Sequence, residues 1–242
     1  MNRIKTYILI IGLVLSYASC RQDNASGYTI KGNVKECGQW GDCGQLVLAK
    51  RDNGKQTFDT VNIINGNFTL TGHITTPDFA SLVPVQSDKD KPKGRILFFL
   101  ENEKYSIKIR NGILSRESLK GGTSEKLFKE LSGRLSKLDE IYSIESIDRQ
   151  LNTTHTPAYR MEKLRIVRHE YDSVVKTFKD SIIRANTPSY FSLYMTSVDI
   201  ANGENPDSIL QALEVYLKNE RFKDDPRLRN MIGILEEEKR RP

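Results

Sequence analysis

Histidine, tryptophan and cysteine are scarce in this 242-residue sequence, which holds three His, one Trp and three Cys. The scarcity bears on chemistry first. His73, His155 and His169 are scattered, no H-x3-H pair exists, and two cysteines without a finger-spaced histidine do not complete four zinc ligands. His169 neighbours Glu170 in a helical stretch, where adjacent side chains point about 100° apart and share no face. All three histidines therefore read as surface or packing residues. G-x-S-x-G, Walker and G-x-G-x-x-G runs are absent, so neither a nucleophile elbow nor a nucleotide-phosphate loop is written in the chain. No catalytic residue, metal or cofactor is expected.

What is present can build a core. With 38% hydrophobic and 28% charged residues and a net charge of +6, the chain is neither collagen-like, low-complexity nor disordered. Its length predicts one or two domains. The one long apolar run lies at the N-terminus, where Arg3 and Lys5 precede Tyr7 to Leu15 and small residues lead to Cys20. The thirteen residues from Tyr7 to Ser19 cover only about 20 Å of a ~30 Å hydrocarbon core, so a cleaved signal peptide is expected over residues 1–19.

The run Leu15-Ser16-Tyr17-Ala18-Ser19-Cys20 resembles a bacterial lipobox, with two small residues before the cysteine and Tyr17 in place of the usual Leu. The resemblance implies lipidation of Cys20, and so a membrane partner through that anchor. The alternative is an ordinary signal peptide that leaves Cys20 as a thiol. Each buried methylene of an acyl chain adds about 0.8 kcal/mol, so two or three chains give stable anchoring. Cleavage removes two basic residues and no acid, leaving 35 basic against 31 acidic residues, a net +4. The basic residues of the helical half are interleaved with acids, which argues against nucleic acid as a partner. Residues 20–27 read as a lipidated tether. Its one acid, Asp23, favours an outer-membrane lipoprotein facing the periplasm.

Setting Cys20 aside leaves Cys37 and Cys43, an even pair in an oxidising compartment. A structural disulfide is the leading reading, closing the base of the loop Cys37-Gly-Gln-Trp-Gly-Asp-Cys43; redox activity is the rival, although the spacing is C-x5-C. Trp40 in that glycine-rich loop reads equally as an exposed contact residue and as an indole folded back over the sandwich edge.

From Tyr28 to Asn111 the pattern is short, β-rich and broken by turns. Candidate strands are Tyr28 to Lys35, Gln45 to Lys50, Thr57 to Ile63, Asn67 to Thr71, Ala80 to Gln86, Arg95 to Leu100 and Lys104 to Arg110. Asp52-Asn53-Gly54 and Asn65-Gly66 are hairpin signals, because their residues tolerate positive φ. Tyr105, Ile107 and Ile109 alternate with Lys104, Ser106, Lys108 and Arg110, one apolar face against one cationic. Ile96 to Leu100 is apolar on both sides, which predicts a central strand or one covered by the helical half.

After Gly121-Gly122 the period lengthens to about 3.6. Leu127, Leu131, Leu135, Leu138 and Tyr142 mark one stripe, and Leu164, Val167, Tyr171, Val174, Phe178 and Ile182 a second. Thr156-Pro157, Thr187-Pro188, Asn205-Pro206 and Asp225-Pro226 each place a capping residue before a proline suited to a first helical position. Helices are expected over about residues 123–148, 157–186, 188–201, 206–219 and 226–239. Gly121-Gly122-Thr123 could offer N–H groups to an anion, but a flexible joint is the simpler account. The fold class is α+β, an N-terminal antiparallel β-sandwich of about seven strands followed by an all-helical C-terminal half. The domains are a sandwich over residues 28–120 and a helical domain over 121–242.

Five segments carry a resemblance: Tyr28-Thr-Ile-Lys-Gly-Asn33, Phe58-Asp-Thr-Val61, Asn65-Gly-Asn-Phe-Thr-Leu-Thr-Gly72, Phe98-Phe-Leu-Glu-Asn102 and Lys120-Gly-Gly-Thr-Ser124. Over residues 28–140 the chain resembles a domain of unknown function in exported proteins of Gram-negative bacteria. There it precedes a helical linker and a thioredoxin-like domain in thiol-disulfide oxidoreductases of the TlpA and ResA kind. The sequence contains no C-x-x-C, so the resemblance carries over no catalytic residue. It implies an envelope-located accessory module. The function expected is a non-enzymatic envelope lipoprotein, an interaction or ligand-binding module for an envelope protein or glycan. The alternatives are an accessory component of a periplasmic thiol-disulfide oxidoreductase system and, on compartment and Trp40 alone, an envelope glycan binder.

Overall fold

A computed structural model describes residues 27–36, 44–85 and 94–240. Among them run eight strands: β1 (Tyr28–Val34), β2 (Gln45–Asp52), β3 (Lys55–Asn62), β4 (Asn67–Gly72), β5 (Asp78–Pro84), β6 (Ile96–Leu100), β7 (Lys104–Ile109) and β8 (Leu119–Gly121). Six α-helices follow: α1 (Thr123–Tyr142), α2 (Ile144–Thr154), α3 (Pro157–Ala185), α4 (Tyr190–Ala201), α5 (Pro206–Leu217) and α6 (Pro226–Arg240). The fold is α+β, with the switch of period near Gly121 as its seam.

The strands form two four-stranded sheets, ordered β4-β1-β7-β8 and β3-β2-β5-β6. Asn53 (φ 48°) and Gly54 (φ 76°) turn β2 into β3, and Asn65 (φ 50°) and Gly66 (φ 71°) precede β4, the left-handed pairs that tight hairpins require. Pairing is antiparallel everywhere except between β1 and β7, which run parallel with Ile30 opposite Tyr105 and Gly32 opposite Ile107. Here the expected uniform antiparallel pairing gives way. The whole second sheet lies between β1 and β7 in sequence, ample for the crossover a parallel pair needs.

Alternation sends Ile30, Val34, Leu46, Leu48, Phe68, Leu70, Leu82, Ile96, Phe98, Ile107 and Ile109 into one buried layer between the sheets. Gly32 is required there, because a Cβ would lie 2.0 Å from the Phe68 ring directly opposite.

The helical half covers part of the outer face of the second sheet. Phe79 of β5 and Phe99 of β6 pack against Phe128 and Leu131 of α1, Ile182 of α3 and Phe191 and Met195 of α4. Ring centroids lie 5.2 Å apart for Phe99 and Phe128 and 4.9 Å for Phe128 and Phe191. β6 is thus apolar on both sides because one side faces the sandwich and the other faces helices, although it is an edge strand. A separate cluster joins α4, α5 and α6 through Leu193, Leu213, Tyr216, Phe222, Leu228 and Leu235.

Two helix boundaries differ from expectation. The helix expected over 123–148 breaks at Ser143, which is left-handed (φ 43°, ψ 45°), and α2 turns back to pack on α3. Pro188 precedes α4 without opening it. Ser189 is the N-cap there and forms a capping box with Ser192.

Candidate functional site

Two segments that a sequence reader would treat separately, Phe98 to Asn102 and Lys120 to Ser124, meet where the sandwich joins the helices. Helix α1 begins at Gly122-Thr123, and its first N–H groups need acceptors. The chain supplies them from β6 and the turn after it. Ser124 N and Oγ donate to the two carboxylate oxygens of Glu101 (2.7 and 3.1 Å), and Thr123 N donates to Glu103 Oε2 (2.9 Å). The anion at this helix N-terminus is therefore the protein's own. Gly121 is no flexible joint. It pairs opposite Tyr105, has φ 104°, and a Cβ would stand 2.1 Å from the Lys104 carbonyl oxygen.

In the same first turn, Glu125 is buried and accepts the Phe99 N–H at 2.9 Å on the open edge of β6. Arg116 closes on the same carboxylate in a bidentate pair of 2.7 and 2.8 Å. That hydrogen bond pushes the guanidinium up from its ordinary pKa, against the opposing effect of burial. Tyr105 completes the cluster, accepting from Glu101 N (2.9 Å) and donating to the Phe99 carbonyl (3.1 Å). Burial, with Glu103 beside it, raises Glu101 above the usual carboxylate range, while the Ser124 donors oppose the rise. Among the described residues, Glu103 Oε1 is a buried side-chain oxygen without a hydrogen-bond partner.

A second polar cluster lies across the sandwich interior. Lys50, 9% exposed, donates to Tyr28 Oη (2.7 Å) and to Asp59 Oδ2, and the Tyr28 hydroxyl donates to the same Asp59 oxygen. Burial and the hydrogen bond to Asp59 raise the Tyr28 pKa. Burial also pushes Asp59 up, but its bonds from Lys50 and Tyr28 prevail and hold it below its ordinary value. The three side chains link β1, β2 and β3, so this is a tie between the two sheets.

The surfaces a partner can reach are different in kind. On the outer face of the second sheet, Phe58, Ala49, Ser81 and Leu97 form a row across all four strands. Phe58 and Leu97, at its ends, are 63% and 46% exposed. A concavity of about 500 Å3 opens where α1, α2 and α3 meet, lined by Asp139, Tyr142, Arg149 and Tyr171 among others. Of the histidines, His73 and His169 are exposed and His155 stacks on Tyr159 with centroids 4.6 Å apart.

Residues 28–128 match the family model described as a domain of unknown function (DUF4369). The DUF4369 match takes in every member of both polar clusters: Tyr28, Lys50, Asp59, Glu101, Glu103, Tyr105, Arg116, Ser124 and Glu125. It ends inside α1, beyond the helix residue that seals β6. No thioredoxin-like domain is matched. The comparisons with curated proteins and with solved structures return no match.

The site residues read from the sequence, Cys20, Cys37, Trp40 and Cys43, lie outside the described residues. The residues brought together instead are charged groups that composition places at the surface. The available signal was local: Glu101 follows directly on the apolar run Ile96 to Leu100, and Glu125 sits three residues after a glycine pair.

Proposed function

We propose that the chain is a non-enzymatic envelope lipoprotein, anchored through Cys20 and facing the periplasm, whose DUF4369 sandwich is an interaction or ligand-binding module. The observation that carries this reading is how the two polar clusters are engaged. Glu101 and Glu125 hold the helical half on the sandwich, and Asp59 holds sheet to sheet. Groups committed in this way are positioned to support a surface. The surface itself includes the row across the second sheet whose two ends, Phe58 and Leu97, expose large apolar side chains that a partner could cover.

The test combines mass and cross-linking. In a Gram-negative host, the membrane-fraction protein is expected to begin at Cys20 with added acyl mass, and Cys20→Ala is expected to release it in soluble form. A photo-reactive residue at position 58 or 97 is expected to trap an envelope component that one at exposed position 163 does not. A hydrolytic or transferase activity lost on Asp59→Asn or Glu101→Gln, with the fold retained, would overturn the non-enzymatic reading.

A further inference from the structure

The outer face of the first sheet carries cations on three of its four strands, β1, β7 and β8. Lys31 and Lys35 at and just beyond β1, Lys104, Lys108 and Arg110 at and just beyond β7, and Lys120 of β8 are all exposed and carried at alternating positions. Between them stand Thr29, Asn33, Asn67, Thr69, Thr71 and Ser106, and no acid occupies an outward position of these four strands. None of the six cations takes part in an ion pair among the described residues. Two acids adjoin these cations in sequence: Glu103, which is turned to the N-terminus of α1, and the exposed Glu36, which follows Lys35 beyond the end of β1.

Register explains how a sheet tolerates this charge. Lys104 stands opposite Thr29, Lys31 opposite Ser106, Lys108 opposite Asn33 and Lys120 opposite Ser106. Like charges directly opposite would destabilise the sheet, and this chequered arrangement keeps them diagonal. At one end Lys35, Lys108 and Arg110 converge with Asn33 on a notch of about 180 Å3. Cations spread over the adjacent strands β1, β7 and β8 in this way suit an extended anionic surface.

We propose that this sheet face docks on the anionic phospholipid headgroups of the membrane that carries the anchor, so that the sandwich lies on the bilayer. The proposal rests on the anchored reading for the nearness it supplies. Seven residues, Arg21 to Gly27, separate Cys20 from the first residue of β1, and fully extended they reach at most about 25 Å. β1 itself contributes Lys31 to the face. The row from Phe58 to Leu97 on the second sheet is then turned away from the lipid, free for a partner.

The test uses the chain without residues 1–19 and with Cys20→Ser, which keeps every described element and has no lipid attachment site. Co-sedimentation with vesicles containing about 30% phosphatidylglycerol is expected to bring it down, whereas neutral phosphatidylcholine vesicles leave it in solution. Binding should fall steeply between about 50 and about 300 mM salt. The triple variant Lys31→Gln/Lys104→Gln/Lys108→Gln should lose about a hundredfold in partitioning, from about fivefold per charge. Lys163→Gln/Arg165→Gln/Arg168→Gln, with the same loss of charge on α3, should bind like the parent, and near-UV circular dichroism confirms folding of each. Absence of binding to anionic vesicles, equal losses in the two triple variants, or binding to alginate but not to vesicles overturns the proposal. Because Cys20 is replaced, failure of lipidation in the cell leaves these outcomes unchanged, and the two readings fail separately.

Discussion

Glu125 offers the most informative single change. Its carboxylate is 1% exposed, while its partner Arg116 is 31% exposed. Truncation by Glu125→Ala leaves the Phe99 N–H without an acceptor on a strand whose Phe99 side chain is wholly buried. An orphaned buried donor costs about 1–3 kcal/mol. Arg116 is open enough to turn toward water, so its loss is smaller, and the vacated side-chain volume adds a cavity cost of about 1 kcal/mol. The total of about 3–4 kcal/mol sits at the lower end of the range for breaking a buried pair from one side. Glu125→Gln keeps the volume and one acceptor oxygen but sets an NH2 group against an Arg116 donor, for about 1–2 kcal/mol. Urea denaturation followed by far-UV circular dichroism reads these values. With a slope of about 2–3 kcal/mol per molar, the midpoint should fall by more than about 1 M for Ala and by roughly half as much for Gln. Arg116→Met combined with Glu125→Gln should cost about 1 kcal/mol less than the two changes taken separately, since they share one interaction. A midpoint shift for Glu125→Ala below about 0.3 M would refute the claim that this carboxylate seals the edge of β6.

Gly121→Ala should destabilise by about 3 kcal/mol or more, because left-handed strain adds to a 2.1 Å approach to the Lys104 carbonyl; a thermal melt measures it, and a loss below about 1 kcal/mol would contradict the close packing. Asp59, depressed in the fold below its ordinary 3.8, contributes stability that is present above that value and lost as pH falls through the folded pKa. Asp59→Asn should therefore lower stability at neutral pH and flatten its decline between about pH 4 and pH 2, as urea midpoints across that range will show. For Cys37 and Cys43, thiol trapping at controlled potential should give a midpoint below about −300 mV, the mark of a structural disulfide; a value near −200 mV or higher would move the redox-accessory reading to first place.

β1, β2, β4, β5 and β7 were legible because inward and outward residues alternate along each, β6 because its apolar run is unbroken, and the hairpins because Asn-Gly pairs state their own geometry. β8 was not. Three residues give no period to read, and Leu119–Gly121 forms a strand only because Tyr105 to Ile107 lie beside it. The parallel match of β1 with β7 was equally hidden, since strand patterns fix faces and leave direction open. Ser143 ends α1 in a left-handed turn with neither Gly nor Pro to announce it. The polar clusters are long-range objects. Glu125 and Phe99 are 26 residues apart and Tyr28 and Asp59 are 31 apart, distances over which one sequence read alone holds no pairing signal. The cationic half of the pattern was visible in β7, but its continuation across β1 and β8 required their order in the sheet.

The sealing of β6 has a consequence for how the chain is made. Ile96 to Leu100 is a short, uncharged, apolar strand, the kind of segment that pairs with copies of itself when its edge is bare. The residues that cover it, Glu125 and Phe128, are synthesised after it and lie beyond the last strand. A fragment stopping at Gly121 would hold all eight described strands and still expose Phe79, Phe99 and the free edge. The stretch matched as DUF4369 runs on to residue 128, through those covering residues. In the folded chain the sheet therefore carries its own cover, and the first turns of α1 keep the edge of the β module from pairing with a copy of itself.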